Sequence, residues 1–463
     1  MDGVTGGHIA GAIVTLLVIS AAGVYSGKKV KGAADFATGG GKANQIIVAG
    51  TIMGTLIGGS STIGTAQLAF HFGMSALWFL LGVSMGCLIL GLVFTGPMRR
   101  SGCQTIQQII GREYGPRAEL LSSILSSLGT LIAVVAQLLA ATALLTAFLG
   151  LPPLICALIA IAVMICYVTF GGLWGTGLVG GIKTLLIYLA VILSGWVILT
   201  KTGGFSALYE GLDPAKYRSL FARGIGVDGG AALSLILGVL STQTYMQAVV
   251  AGKDEKTARQ GALLSAVLMP PIGAGGMLVG IFMSRSSLVD SSQAFPAFLI
   301  QHMPPFMGGV FLATLLIAIV GTGSGLALGI STILSNLYKM KLAKENRKMP
   351  INELWLARGL ILAVLLLALL FTLGDMGAFI LQWSIMSMAL RAAAGFVPLC
   401  SALFFKGRVP AAYMIAAIIA GPCVVLAGEL FYAKTVDPVF FGLLASLLIC
   451  IIGAIVKRFV KKV

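Results

Sequence analysis

Long apolar stretches follow one another along almost the whole chain, and they restrict its fold more than any other feature. Hydrophobic residues make up 58% of the 463 residues and charged residues only 10%, whereas charged residues are about a quarter of an ordinary soluble domain. An apolar run of about 18 or more residues is long enough to cross a bilayer as a helix. The sequence therefore predicts an all-α polytopic membrane protein that resides in the lipid bilayer.

The apolar runs predict about thirteen transmembrane helices, separated by mostly short polar loops. Their approximate bounds are 7–26, 44–70, 74–96, 118–148, 153–172, 176–200, 228–251, 257–284, 306–338, 354–374, 377–405, 410–431 and 437–457. Twenty-three Lys and Arg residues lie in the loops on one side of these spans, and six lie on the other side. Because basic loops are retained in the cytoplasm, we expect an external N-terminus, a cytoplasmic C-terminus and a location in the plasma (inner) membrane.

Several classes of function are excluded by composition and motif. The net charge of +16 comes from loops between apolar spans, so it indicates membrane topology and no nucleic-acid partner. The sequence has no HExxH motif and no His/Asp pair within a span, so we expect no enzyme activity and no cofactor. The seven cysteines fall nearly all inside apolar spans without metal-ligand spacing, and we interpret them as small hydrophobic residues.

The span at 44–70 is interrupted near its middle by residues that disfavour a helix. Four glycines lie within ten residues there, and the segment 58–62 reads Gly-Gly-Ser-Ser-Thr. Each interior glycine costs a helix about 0.8–1 kcal/mol relative to alanine, and freed backbone groups are tolerated in a membrane only where they line a cavity. The pattern predicts a broken helix of the kind that binds ions and substrate in secondary transporters. Close helix packing through small residues is the alternative.

Several segments, in this order along the chain, resemble the sodium:solute symporter family. They are KKVKGAADFATGGGKANQ, GTLIGGSSTIGTAQLAFHFGMSALW, YVTFGGLWG, STQTYMQAVVAGKDEKTARQGALLSAVLMPPIG, AFPAFLIQHMPPFMGGVFLATLLIAIVGTGSG and GFVPLCSALFFKGRVPAAYMIAAIIAG. The resemblance extends over nearly the whole chain. The resemblance implies the leucine-transporter fold, with two inverted five-helix repeats, and transport by alternating access.

The resemblance also implies a division of the chain into five parts. They are 1–43 (N-terminal outer helix and cytoplasmic loop), 44–200 (first inverted repeat), 201–227 (external loop), 228–405 (second inverted repeat) and 406–463 (two C-terminal outer helices and a basic cytoplasmic tail). The first helix of each repeat is expected to be broken, so the counterpart of 44–70 is 228–251. Its glycines at 229, 230 and 238 would supply the interruption.

In this family a sodium ion is held between the first broken helix and the helix that corresponds to 306–338. The resemblance places its ligands, carbonyls and hydroxyls, at Gly54, Ile57, Gly321, Thr322 and Ser324. The family has two adjacent hydroxyls on the second helix, and neither possible alignment gives two adjacent hydroxyls here. Three modes of transport therefore stay open at this point: coupling to a possible Na⁺, coupling to H⁺, and an uncoupled uniporter.

Lys183 lies inside a predicted span, where a charge costs at least about 2.5–3.5 kcal/mol at the bilayer centre. The family typically has Thr-Asp and, three residues later, Gln, whereas this chain has Val179-Gly180 and then Lys183. We expect the Lys183 ammonium to replace a coupling cation, and it could also load and release a proton. Snorkelling of the side chain to the cytoplasmic surface is the alternative.

Arg391 lies near the middle of the span at 377–405. Its planar fork suits bidentate recognition of a carboxylate, although it could equally bond carbonyls of a neighbouring broken helix. No carboxylate lies deep in a span, and helix N-termini near 60–61 favour negative charge. A small organic anion is therefore the preferred substrate. A zwitterion or a neutral polyol stays open. Polar mid-span residues are expected to line the pocket or to bond between helices: Ser60, Ser61, Thr62, Thr242 and Gln243.

Two other classes of protein compete with a transporter. A channel would need a continuous pore, whereas inverted repeats imply alternating access. A transporter-like sensor would carry a signalling module, and we expect none because the chain ends shortly after its last span. We expect a small-molecule substrate and lipid as partners, with a monomer as a possible functional unit.

Overall fold

The computed structural model describes residues 3–27, 42–288, 290–347, 352–373, 379–431 and 435–460. Within these ranges the chain is helical apart from turns and a single β-bridge between Ala43 and Gly252, which confirms the all-α prediction. The basic residues that contribute to the predicted orientation within 28–41, 348–351, 432–434 and 461–463 lie outside the described residues.

Two groups of helices follow one another along the chain. The first group is α1 (Gly6–Gly27), α2 (Gln45–Leu56), α3 (Thr65–Phe72), α4 (Trp78–Ile89), α5 (Thr95–Arg100), α6 (Ile106–Tyr114), α7 (Pro116–Leu149), α8 (Pro153–Thr202), α9 (Phe205–Leu208) and α10 (Pro214–Tyr217). The second group is α11 (Ile225–Leu240), α12 (Gln243–Ala251), α13 (Glu255–Leu268), α14 (Pro270–Met283), α15 (Ala294–His302), α16 (Pro305–Lys344), α17 (Glu353–Thr372), α18 (Ile380–Phe404), α19 (Ala411–Phe431) and α20 (Val439–Val460). Short π-helical or 3₁₀ turns lie at Ser60–Gly64, Gly73–Leu77, Leu90–Phe94 and Ser291–Gln293.

The number of membrane spans differs from the prediction. Nine helical segments of the described chain are long and apolar enough to cross a membrane, and there are ten if the bent pair α11 and α12 counts as one span. The predicted number of about thirteen is not confirmed. One reason is α8, which runs for 50 residues through the spans expected at 153–172 and 176–200. No proline or charged residue separates those two spans, and the helix continues through the six glycines at 171–181.

The helices divide into interior and peripheral ones by their burial. In the most apolar window of α16, 94% of the residues are buried, and the share is 72% in both α7 and α18. The corresponding share is 22% in α17 and 28% in α20. A helix that is apolar on all faces lies either in the interior of a large protein or in a membrane. The buried share of each helix shows which of these two positions it takes here. The core is therefore built on α7, α16 and α18, while α17 and α20 face outward.

The segment after α2 is broken, as the glycine-rich pattern predicts. The helix ends at Leu56, and Ile57 has an extended backbone with φ of −85° and ψ of 96°. Helical structure resumes with the π-helical turn that begins at Ser60. The break frees carbonyl and amide groups inside the protein, and buried backbone groups need hydrogen-bond partners. Their partners define the site described below.

A second break separates α11 from α12, which meet at a bend of 44°. This confirms the expected interruption of the span at 228–251, although the break lies at 241–242, after the three glycines that were expected to supply it. Gly238 serves helix packing instead, because a Cβ there would lie 2.6 Å from the Cβ of Met388 in α18. The backbone of α11 thus comes close to a core helix just before the chain bends.

Glycines hold α1 against the core helix α16. A Cβ on Gly309 would lie 1.9 Å from the carbonyl oxygen of His8, and a Cβ on Gly11 would lie 2.1 Å from the carbonyl oxygen of Phe306. Neither distance leaves room for a side chain, so the two backbones touch because both positions are glycine.

Replacing Gly309 with leucine is expected to push α1 away from α16 and to destabilise the protein by about 1–3 kcal/mol or more, as overpacking does. Gly359→Leu is the matched control, since Gly359 lies on the outward-facing α17 with open space at its Cβ position. Thermal unfolding of both purified variants in detergent measures the difference. Equal melting temperatures would contradict this account of the contact between α1 and α16.

Candidate functional site

The carbonyl groups freed at the end of α2 meet polar side chains from α8 and α16. Lys183 donates from Nζ to the carbonyl oxygen of Gly54 at 2.6 Å and to that of Ala318 at 3.1 Å. Thr322 Oγ1 lies 3.4 Å from the same Nζ and 3.0 Å from the carbonyl oxygen of Ile57. Lys183 is 1% exposed and Thr322 is 2% exposed. We call the three carbonyls, the hydroxyl and the ammonium the carbonyl cluster.

The predicted ion ligands divide into two groups. Gly54, Ile57 and Thr322 belong to the carbonyl cluster. Ser324 lies outside it, because its hydroxyl donates to the carbonyl oxygen of Met164 in α8 at 3.2 Å. The break in α2 and the middle of α16 therefore do meet, and within the described chain Thr322 is the hydroxyl of α16 that faces the carbonyls of Gly54 and Ile57.

Close contact between α8 and α2 brings Lys183 to the carbonyl cluster. A Cβ on Gly180 would lie 2.5 Å from the carbonyl oxygen of Gly50, so the two backbones touch one helical turn before the ammonium. Gly321 leaves space for the ammonium, because a Cβ there would lie 3.2 Å from Lys183 Nζ. The side chain thus points into the protein and does not snorkel to a surface.

A small space, the central cavity, lies next to the carbonyl cluster. Its polar lining consists of Thr55, Ser60, Gln137, Tyr245, Thr322, Ser384 and Arg391. Its volume is about 20 Å³, roughly the room that one water molecule needs. No acidic residue lines this cavity within the described part of the chain. The site is therefore small, lined by several polar side chains, and positively charged.

Gln137 of α7 supports the point where the helix resumes after the break. Its Oε1 accepts a hydrogen bond from the backbone N–H of Gly59 at 2.7 Å, and its Nε2 donates to Ser60 Oγ at 3.0 Å. Ser60 is also hydrogen-bonded to Ser384 of α18. Gly58 allows this approach, because a Cβ there would lie 2.6 Å from Gln137 Oε1. One amide side chain thus satisfies the break and fixes a cavity-lining hydroxyl.

Arg391 of α18 is a buried cation with neutral partners. It is 1% exposed, and it donates from Nη1 to Thr242 Oγ1 at 2.7 Å and from Nη2 to Ser387 Oγ at 2.9 Å. Its Nε donates to the carbonyl oxygen of Ser387 at 3.1 Å. Four ion pairs occur among the described residues, and neither Arg391 nor Lys183 takes part in them.

One carboxylate of α11 is fully buried, although none was expected deep in a span. Asp228 lies in the first turn of the helix and pairs with Arg223, whose Nη2 is 2.7 Å from its Oδ1. The Ser75 hydroxyl donates to the same carboxylate at 2.7 Å. Asp228 is thus at a helix end and already paired, so it does not compensate the two cations at the centre.

Three of the predicted pocket residues bond elsewhere. The hydroxyls of Ser61 and Thr62 donate to the carbonyl oxygen of Gly58 at 2.9 and 2.8 Å and close the π-helical turn. Gln243 donates to the carbonyl oxygen of Gln104 at 2.9 Å, away from the central cavity. Local backbone bonding thus takes up polar groups that were expected to face the pocket.

Four polar cavity residues were not selected from the sequence, namely Thr55, Gln137, Tyr245 and Ser384. A signal was present for Gln137, which is an amide in the middle of the apolar span at 118–148. Ser384 lies seven residues before Arg391, a spacing that puts both on one helix face. These positions could have been found by asking which polar residues share a face.

Two larger cavities lie on either side of the central cavity. The external cavity, on the side predicted to be external, is about 400 Å³ and is lined by Phe379 and Gln382 among others. The cytoplasmic cavity, on the opposite side, is about 410 Å³ and is lined by Leu403 and Lys406 among others. All four residues lie on or next to α18. One helix therefore runs past all three spaces.

Comparison with known proteins agrees with this arrangement. The family model of the sodium:solute symporter family matches residues 36–421. A protein described as uncharacterized symporter YwcA, from Bacillus subtilis (strain 168), is 25% identical over 206 residues. That match covers 44% of this chain and 40% of YwcA, so it spans less than half of that relative.

Solved transporter structures share the fold. A Na⁺-coupled sialic acid symporter in a substrate-bound outward-open state matches with a TM-score of 0.82 at 20% identity, over 98% of both chains. MhsT in complex with L-phenylalanine matches with a TM-score of 0.58 at 13% identity, over 89% of this chain and 99% of MhsT. Mhp1, a nucleobase-cation-symport-1 family transporter, matches with a TM-score of 0.61 at 13% identity, over 91% and 94%. At these identities the likeness shows the fold alone, and it confirms the predicted leucine-transporter fold.

The match to the family model extends over far more than half of the chain. It confirms the predicted class of function, a multi-pass membrane transporter and not an enzyme. With its broken helix, small polar site and transporter fold, the chain belongs to the sodium:solute symporter family.

Proposed function

We propose that this protein moves a small organic anion across the membrane by alternating access, and that Arg391 binds the carboxylate of that anion. The observation that carries this proposal is a fully buried guanidinium at the central cavity that forms no ion pair among the described residues. A buried charge without a counter-charge is strongly unfavourable. An anionic substrate would supply the missing charge each time it binds.

The hydrogen bonds of Arg391 leave it able to bind an anion. Thr242 and Ser387 accept from the guanidinium and fix its orientation, and neither brings a negative charge. Arginine offers five N–H donors in a planar fork that matches a carboxylate. Ser60 and Ser384 line the same cavity and would supply hydroxyl donors for further oxygen atoms of the substrate.

The charges around the cavity favour an anion over other solutes. The ammonium of Lys183 lies in the adjacent carbonyl cluster, so the central region carries two positive charges. A zwitterion such as an amino acid would place its own ammonium near these two buried cations, and no acidic residue lines the cavity within the described chain. A neutral polyol would leave the charge of Arg391 uncompensated.

The sizes of the cavities support alternating access. The central cavity holds about one water molecule, so a solute of several atoms needs the surrounding helices to move apart. α18 passes the external, central and cytoplasmic cavities in turn. A displacement of this helix against α2 and α7 would connect the site to one side and close it to the other.

Uptake into proteoliposomes tests the substrate class. We expect labelled mono- and dicarboxylates to be taken up, and unlabelled carboxylates to compete, while neutral sugars and amino acids do not. The physical reason is the uncompensated guanidinium at the site. Uptake restricted to sugars or to amino acids would contradict an organic-anion substrate.

Arg391→Gln is expected to weaken carboxylate binding about ten- to a hundredfold, because a hydrogen bond to a charged group contributes about 1.5–3 kcal/mol and each 1.4 kcal/mol is a factor of ten. Arg391→Lys keeps the charge but loses the fork, so an intermediate loss is expected. Arg408→Gln, at an exposed position just after α18, is the control. Competition binding on purified protein measures the affinity, with melting temperatures to check folding. Unchanged affinity in a folded Arg391→Gln variant would exclude Arg391 as the ligand.

A further inference from the structure

We infer that the ammonium of Lys183 occupies the position where the sodium:solute symporter pattern places a coupling sodium ion, so that this protein does not bind Na⁺ there. The inference rests on the proposed function only in assuming a transport cycle, and it is independent of the substrate. Na⁺ would be expected from the family, whereas the residues present do not fit a free ion. The chain itself supplies the cation.

The geometry of the carbonyl cluster carries this inference. Lys183 Nζ donates to carbonyl oxygens on two different helices, Gly54 of α2 at 2.6 Å and Ala318 of α16 at 3.1 Å. Thr322 Oγ1 lies 3.4 Å away. These are the oxygens that a free cation between α2 and α16 would use. A sodium ion sharing them would lie within a few ångströms of the ammonium, and their repulsion inside a protein is strong.

The neighbouring residues are adapted to a lysine in two further ways. Gly321 has no side chain where the family has a hydroxyl, and a Cβ there would meet both Lys183 Nζ at 3.2 Å and Tyr167 Oη at 3.4 Å. Gly180 stands where the family has an aspartate, and a Cβ there would lie 2.5 Å from the carbonyl oxygen of Gly50. The side chain of Val179 lies outside the described residues. A larger residue at 180 or 321 would compete for space with this arrangement.

No other charged group offers an alternative explanation for the buried ammonium. The sequences of α1, α2, α8 and α16, the helices around it, contain no Asp or Glu. Backbone carbonyls with one hydroxyl are therefore the partners of Lys183, as they would be for an alkali cation. Lysine carries its charge as a compact point with three donors, which suits a cluster of several oxygens.

The test uses purified full-length protein in detergent without any organic anion. Melting temperatures are compared in sodium chloride and in choline chloride of equal ionic strength. We expect no difference for the wild type. Lys183→Ala removes the tethered cation and frees the oxygens, so Na⁺ should raise its melting temperature by about 2 °C or more. Lys183→Ser repeats the test should the alanine variant not fold, and binding of radioactive sodium to wild type and variants provides the second measurement.

Lys201→Ala is the matched control, because Lys201 lies exposed near the end of the same helix. Its melting temperature should be independent of Na⁺, like that of the wild type. The inference would be overturned if Na⁺ stabilised the wild type, or bound to it saturably, to the same extent as the Lys183 variants. So would variants that fold but do not respond to Na⁺, since the oxygens would then not form a cation site. Because no anion is present, failure of the proposed carboxylate transport would leave these results unchanged.

Discussion

A helix that is broken inside a membrane exposes carbonyl and amide groups that lipid cannot satisfy. In this protein three of those groups find partners on three different helices. Gln137 of α7 accepts from the amide of Gly59, Thr322 of α16 binds the carbonyl of Ile57, and Lys183 of α8 binds the carbonyl of Gly54. The break therefore determines which helices meet at the centre, and the polar site is a result of satisfying it.

The two buried cations differ in how completely their partners satisfy them. The ammonium of Lys183 donates to two backbone carbonyls and lies near one hydroxyl, oxygens that an alkali cation would also use. The guanidinium of Arg391 is held mainly by hydroxyls and one carbonyl, and it also faces the central cavity. One charge is thus bound within the protein, while the other is available to a solute.

Features that depend on local composition could be predicted from the sequence. The apolar runs predict an all-α membrane protein, and the glycines before Ser60 predict a break, because a helix there lacks both propensity and side-chain packing. The external N-terminus and the boundaries of the two repeats stay predictions. The number of spans could not be obtained from hydropathy, since an apolar segment such as 153–202 gives no indication of where a membrane would end it.

The orientation of individual polar side chains could not be predicted either. Ser60 and Ser61 are adjacent, yet Ser60 faces the central cavity and Ser61 bonds back to Gly58, because neighbouring residues on a helix point in different directions. The approach of Lys183 to α2 depends on the contact at Gly180. Such contacts between distant segments follow from tertiary packing and have no signature in a single stretch of sequence.

A cation that belongs to the chain changes the electrical balance of transport. A free sodium ion crosses with its solute and neutralises an anion, whereas a tethered ammonium remains in the protein. An organic anion would then cross as a net negative charge, and each such charge gains or loses about 2.3 kcal/mol per 100 mV of membrane potential. With the inferred assignment, a negative cell interior would favour export of the anion, whereas exchange of two anions of equal charge would be independent of the membrane potential.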